Sequence, residues 1–82
     1  MKIIFSNHAQ IKIFQRKIKK IHVARTFSSP DYIHYEQSGR DQFYKKFSRF
    51  YLKVVARRLK NSVIVITTYW VAKIPKSNKI SI

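Results

Sequence analysis

His8 is followed by Lys12, Gln15 and Arg16. If the segment is a helix of 3.6 residues per turn, these four side chains share roughly a third of its circumference. An imidazole beside two cations is a set that can move a proton and hold an anion. With an unperturbed pKa of about 6.5, histidine is the side chain suited to proton transfer near neutrality. The same residue can instead cap the helix or fill a gap in the core. A second group follows in segments that read as strands: Arg40, Tyr44, Lys45, Lys46, Lys53, Arg57, Thr67 and Tyr69. Cations bind phosphates, hydroxyls donate hydrogen bonds and rings stack on bases, so these types together suit an RNA backbone. Each has an ordinary explanation when taken singly. Lysines are solvated, tyrosines cover sheets and threonines are common in strands. The case rests on their coincidence.

Composition points the same way. Eighteen Lys and Arg stand against three acidic residues, giving a net charge of +15 and a pI near 10.6. Such a field attracts polyanions and repels copies of itself, so nucleic acid or an acidic protein is the expected partner, and a homo-oligomer is not expected without one. One Trp, five Tyr and six Phe are more rings than the core of an 82-residue chain hides, which leaves some for a surface or a cleft. Cysteine is absent, removing disulfide and thiol chemistry. Three scattered His and three acids show no ligand spacing, so neither a metal nor another cofactor is expected. The N-terminal MKIIF stops at Ser6-Asn7-His8, short of a secretory signal, and the chain reads as cytoplasmic. Val63 to Ala72, the longest apolar stretch, is too short to cross a bilayer as a helix, and no membrane partner is expected.

The elements that must position these residues are legible in outline. Lys2 to Phe5 reads as a short strand. Ser6 or Asn7 then caps a helix running to about Lys17, with Ile11, Phe14 and Ile18 on one face and Ala9 and Ile13 flanking it. A second helix, Lys20 to Ser28, is expected to bury Ile21, Ala24 and Phe27 and to end before Pro30. Strands follow at Asp31–Glu36, Arg40–Phe47, Phe50–Leu59 and Val63–Ala72, joined at Ser38-Gly39, Ser48-Arg49 and Lys60-Asn61-Ser62. Short connections make neighbours antiparallel. The class is therefore α+β: two N-terminal helices packed on one face of a four-stranded antiparallel meander, edged by the short N-terminal strand. One domain covers residues 1–73, and 74–82 form a basic, flexible tail.

Alternation divides each strand between two faces. Leu52, Val54 and Ala56 oppose Tyr51, Lys53 and Arg57. Phe43 and Phe47 oppose Arg40, Tyr44 and Lys46. In the last strand Thr67 and Tyr69 oppose Ile64, Ile66 and Trp70. With a three-residue final loop, Thr67 and Tyr69 join Lys53 and Arg57 on one face; a two-residue loop moves them to the other. His22 and His34 have no evident partners and read as surface residues.

Ser6-x-His8-Ala9, then Arg16 and Ile18, Pro30-Asp31, Arg40, Tyr44-Lys45 and the strand Val63 to Tyr69 resemble the family called domain of unknown function 4258. The resemblance runs from about Phe5 to Lys73. Its most specific part is Ser-x-His-Ala with an Arg-x-Ile some eight residues on, where the family often has Arg-Gly-Ile and this chain has Lys17. That family is similar to RelE-like and BrnT-like toxins of toxin–antitoxin systems. The resemblance implies a RelE/barnase-like α+β domain, RNA cleavage without metal in many such toxins, and an acidic antitoxin as partner. It maps the family's histidine onto His8, and its basic and hydroxyl positions onto Arg16, Arg40, Tyr44, Lys45, Thr67 and Tyr69.

The leading expectation is a toxin-type, metal-independent endoribonuclease in which a ribose 2′-hydroxyl attacks the adjacent phosphorus. Such a reaction needs a proton acceptor, a donor for the departing 5′-oxygen and cations for the added negative charge. His8 would be acid or base, Arg57 and Lys46 would hold transition-state charge, and Tyr69 would donate a proton or stack a base. Lys12, Arg16, Arg40, Tyr44, Lys45, Lys53 and Thr67 would bind the RNA. Two rivals stay open: a non-catalytic RNA- or DNA-binding module, and a basic protein that docks an acidic partner.

Overall fold

The structure, a computed structural model, describes residues 2–75. Met1 and residues 76–82, which hold most of the expected basic tail, lie outside the described residues. The elements are β1 (Lys2–Phe5), α1 (Asn7–Gln15), α2 (Lys20–Ser28), β2 (Tyr32–His34), β3 (Arg40–Phe47), β4 (Phe50–Arg58) and β5 (Ser62–Val71). The fold is α+β, with two helices and a five-stranded sheet in the order β1-β5-β4-β3-β2. The expected sheet of four antiparallel strands holds for β2 to β5, but β1 pairs parallel with β5 and makes the sheet mixed. No hairpin joins the first and last strands, so nothing local forces them antiparallel. The expected strand Asp31–Glu36 shrinks to three residues, Tyr32–His34.

Ser6 opens α1. Its backbone is extended, and its Oγ accepts from the Ala9 N–H at 3.0 Å, satisfying one free donor of the first turn. The helix closes on a left-handed residue: Lys17 has φ 54°. The Lys17 N–H donates to the Phe14 carbonyl at 3.3 Å, and the Ile18 N–H donates to the Ile13 carbonyl at 3.0 Å. This pair of bonds is the Schellman motif, completed by Ile13 and Ile18, both buried in the core. Glycine usually fills the left-handed position because a Cβ crowds the backbone there. Here a lysine does.

α1 packs on β5 and β1, and α2 on β3 and β4. The core joins Ala9, Ile13, Ile18 and Val23 to Phe43, Leu52, Val54, Ala56, Val63 and Val65. Two expectations of the helix pattern are corrected. On α1, Ala9 and Ile13 are buried, while Ile11 and Phe14 are exposed, Phe14 by 85%. Ties at both ends set the roll of α1, because Ser6 Oγ donates to the Ile66 carbonyl at 3.3 Å and Arg16 Nη1 to the Thr68 carbonyl at 2.9 Å. On α2, Val23 and Thr26 are buried, Ala24 and Phe27 only partly, and Ile21 is exposed. Thr26 tolerates burial because its hydroxyl donates to the His22 carbonyl at 2.8 Å.

The last hairpin turns at Lys60-Asn61, with the Leu59 N–H donating to the Ser62 carbonyl at 2.8 Å. Arg58 then pairs with Val63, Arg57 with Ile64 and Ala56 with Val65. At Val55 the register shifts, and Val55 pairs with Thr67, Val54 with Thr68 and Lys53 with Tyr69. Ile66 is the extra residue of a β-bulge, which reverses the parity of the strand beyond it. The short turn of one expectation and the facing of the other therefore coexist. Val63, Val65, Thr68 and Trp70 face the helices, whereas Ile64, expected on the core side, lies with Arg57 on the opposite face.

Candidate functional site

The face of the sheet away from the helices carries the cations and hydroxyls. At its centre Lys53 on β4 is paired with Tyr44 on β3 and with Tyr69 on β5. Its Nζ lies 5.7 Å from the Tyr44 ring centroid and 5.2 Å from that of Tyr69, so the ammonium sits between two π faces. Tyr44 is only 2% exposed, although its face of the sheet is open, because Tyr32, Gln42 and Lys53 surround it. Its hydroxyl donates to Gln42 Oε1 at 3.0 Å, and the Tyr32 ring packs 5.6 Å away. Tyr44 thus positions Lys53 and does not offer a free ring. Burial pushes the Tyr44 phenol above its ordinary value, against a smaller lowering by Lys53. Burial alone would lower Lys53, but attraction to the Tyr69 and Tyr44 phenols outweighs it and the ammonium is raised overall. Lys53 is therefore a fixed positive charge at neutral pH, and Tyr44 a neutral phenol.

Arg16 reaches this centre from α1. β1 covers β5 only as far as Val65, so the backbone edge beyond it is free of strand partners. Arg16 takes the Thr68 carbonyl on that edge, and its guanidinium carbon stands 5.4 Å from the Tyr69 ring centroid. Tyr69 is consequently held between Arg16 and Lys53, with Thr67 two residues before it on the same face.

At one end of this face Arg40 and Arg57 are direct cross-strand partners. Like charges so placed repel, and an anion between them would relieve the repulsion. At the other end Lys46 pairs with Tyr51, its Nζ 6.0 Å from the ring centroid. The chain's three acids neutralise little of this. Asp31 accepts from the Lys46 backbone N–H at 2.7 Å, and Glu36 from Gln42 at 3.2 Å beside His34 at 3.0 Å. Asp41, buried, accepts from Arg58 Nε at 2.8 Å. Among the described residues, Arg58–Asp41 is the only ion pair involving a lysine or arginine.

The structure therefore brings together Arg16, Arg40, Tyr44, Lys46, Lys53, Arg57, Thr67 and Tyr69. Lys45 does not join them: it pairs with Leu52 on the helix side, where its Nζ donates to the Ser29 carbonyl at 2.9 Å. Alternation sends adjacent lysines to opposite faces. His8 stands exposed in the first turn of α1, two turns before Arg16, and among the described residues nothing hydrogen-bonds its ring. Lys12, between them, donates to Gln15 Oε1 at 3.4 Å.

His34 lies on the surface as expected but has a partner, and His22 is only partly exposed. His34 contacts Glu36, and His22 packs 4.7 Å from Phe47 and 6.2 Å from Trp70. Gln42 and Tyr32 were missed, although Gln42 shares the parity of Arg40 and Tyr44 and was legible on that ground. No helix among the described residues is long and apolar enough to cross a membrane. The described residues bring no three His or carboxylate side chains together as a metal site. Comparison of the chain with protein-family models, with curated proteins and with solved structures finds no match.

Proposed function

We propose that the open face of the sheet binds single-stranded RNA, and that the chain is a toxin-type, metal-independent endoribonuclease related to the domain of unknown function 4258. One observation carries the reading: Lys53, Tyr69 and Arg16 interleave cation and ring on a face flanked by the unneutralised Arg40–Arg57 pair and Lys46. Cations that track a backbone beside rings that stack bases are the chemistry of single-strand recognition. Lys17 supports the family resemblance, since the left-handed geometry at that position is the one the family's glycine suits.

In the proposed reaction His8 takes the proton of a ribose 2′-hydroxyl as its oxygen bonds to phosphorus. The bond to the 5′-oxygen breaks, and that oxygen leaves with a proton donated by Tyr69. The products are a 2′,3′-cyclic phosphate and a 5′-hydroxyl. Lys53 and Arg16, which flank Tyr69, take the negative charge that builds on the phosphoryl oxygens in place of the expected Arg57 and Lys46, which stand at opposite ends of the face. The test is incubation of mixed RNA with wild type and with His8→Ala, in EDTA. Wild type is expected to leave cyclic phosphate ends, and His8→Ala to bind RNA as tightly but cut at least a hundredfold more slowly. Equal cutting by both would remove His8 from the mechanism; RNA binding without cutting by either would leave a binding module.

A second reading, docking of an acidic partner, is favoured by a different surface. Exposed Phe14 lines a groove together with Ile13 and Ile18, and Lys17, Lys19 and Lys20 edge it. Its charge suits an acidic segment carrying apolar side chains. The acidic product of an adjoining reading frame is expected to bind wild type, and to lose binding with Phe14→Ala while RNA affinity stays unchanged.

A further inference from the structure

The β3–β4 hairpin ends in an aromatic recess that the proposed RNA face does not use. Phe47 and Phe50 are cross-strand partners there, on the helix side of the sheet, and Trp70 stands opposite Leu52 on the same side. Phe47 and Trp70 meet edge to face at 90°, their centroids 6.1 Å apart, with the His22 ring packed against both. Phe50 is half exposed. Phe47, Phe50 and Trp70, together with Ser48, Arg49 and Ala72, line a recess of about 390 Å³, which falls within the ~300–1,000 Å³ usual for small-molecule sites. The walls are planar and apolar, and Arg49 is the one charged group among the lining residues.

The recess lies close to the RNA face in chain terms. Lys46 and Tyr51 on the open face immediately flank Phe47 and Phe50, so only the turn Ser48-Arg49 separates the two sites. Resting on the RNA reading, we infer that the recess takes one unstacked nucleobase of an RNA strand that passes Lys46 and folds over the turn. Arg49 binds the phosphate next to that base. A ring face open to the recess, as half-exposed Phe50 offers, accepts any base face by stacking, and the guanidinium adds the charge complementarity that excludes a second copy of this cationic chain. An acidic peptide would satisfy Arg49 but leave the three rings without a planar partner.

Trp70 is the chain's only tryptophan, so its emission reports on the recess alone. The experiment titrates full-length protein with RNA hexamers, following Trp70 emission with unlabelled RNA and anisotropy with end-labelled RNA; adenosine 5′-monophosphate is a second emission probe. The expected result is quenching with the same midpoint as the anisotropy change. Phe50→Ala, whose side chain is already half exposed, is expected to fold, to bind about tenfold more weakly and to lose the quench. Binding that leaves Trp70 emission unchanged, or that Phe50→Ala leaves intact, overturns the recess and spares the RNA reading. Quenching by the mononucleotide without any hexamer binding supports the recess and overturns the RNA reading. Neither signal overturns both.

Discussion

Lys17→Gly is expected to stabilise the protein. The wild-type residue holds φ 54°, closing α1 in a conformation that places its Cβ against the following carbonyl. That crowding costs an L-residue roughly 1–2 kcal/mol, and glycine none. Glycine loses more freedom on folding, which offsets roughly 0.5–1 kcal/mol of the gain. The net is about 0.5–1 kcal/mol, a rise in midpoint of roughly 2–8 °C for a domain of this size. Removing one charge from a chain of +15 also relieves repulsion, so the proper control is Lys17→Ala, which removes the same charge and keeps the Cβ. Urea titration and calorimetry of the three proteins at one pH and salt concentration separate the effects. Glycine should exceed alanine by about the net figure above. Equal stability of the two variants would refute a left-handed Lys17, and with it the Schellman closure that sets Arg16 over Tyr69.

Two further outcomes follow from the same geometry. Ser6→Ala removes the acceptor for the Ala9 N–H and the bond to Ile66, and should cost about 1 kcal/mol by urea titration; no loss would mean that the cap does not hold α1. Tyr44 and Lys53 both bind their protons more tightly in the folded state than at their ordinary values of 10.0 and 10.5. Their contribution is thus whole below about pH 10 and fades as pH rises through the folded values. Tyr44→Phe removes the phenol, so the stability advantage of wild type over this variant should shrink as pH rises above about 10. An advantage that grows across that range would contradict the burial of Tyr44.

Local signals carried the strands further than the helices. β3 falls on Arg40–Phe47 as its alternation indicates, because Gly39 and Ser48 take positive φ and bound it at both ends. The facing of α1 was not legible: Ile11 and Phe14 form as good an apolar stripe as Ala9 and Ile13, and only the distant carbonyls of Ile66 and Thr68 choose between them. Nor was the bulge at Ile66, since Val63 to Tyr69 reads as uninterrupted β-former and the shift arises from pairing with β4. For the site, parity put Lys53 with Arg57 and Thr67 with Tyr69 but left open whether the two pairs share a face; with the two-residue turn it is the bulge at Ile66 that unites them. Reading Tyr44-Lys45 as a pair ignored that alternation, and Lys45 went to the wrong side. The burial of Tyr44 depends on Tyr32 and Gln42 from around it, which a single strand does not reveal.

Salt dependence of binding separates RNA held on the open face from RNA held by net charge alone. Each phosphate contact to a single strand contributes about 0.7 to the slope of log K against log salt. Arg16, Arg40, Lys46, Lys53 and Arg57 acting together predict a slope of about −3.5 for wild type, to which a phosphate on Arg49 adds about −0.7. Lys53→Met should reduce its magnitude by about 0.7 and weaken binding about fivefold at roughly 0.1 M salt. Lys45→Met, which removes an equal charge from the helix side, should leave both unchanged. If the two substitutions weaken binding alike, RNA responds only to net charge, and the open face is not its site.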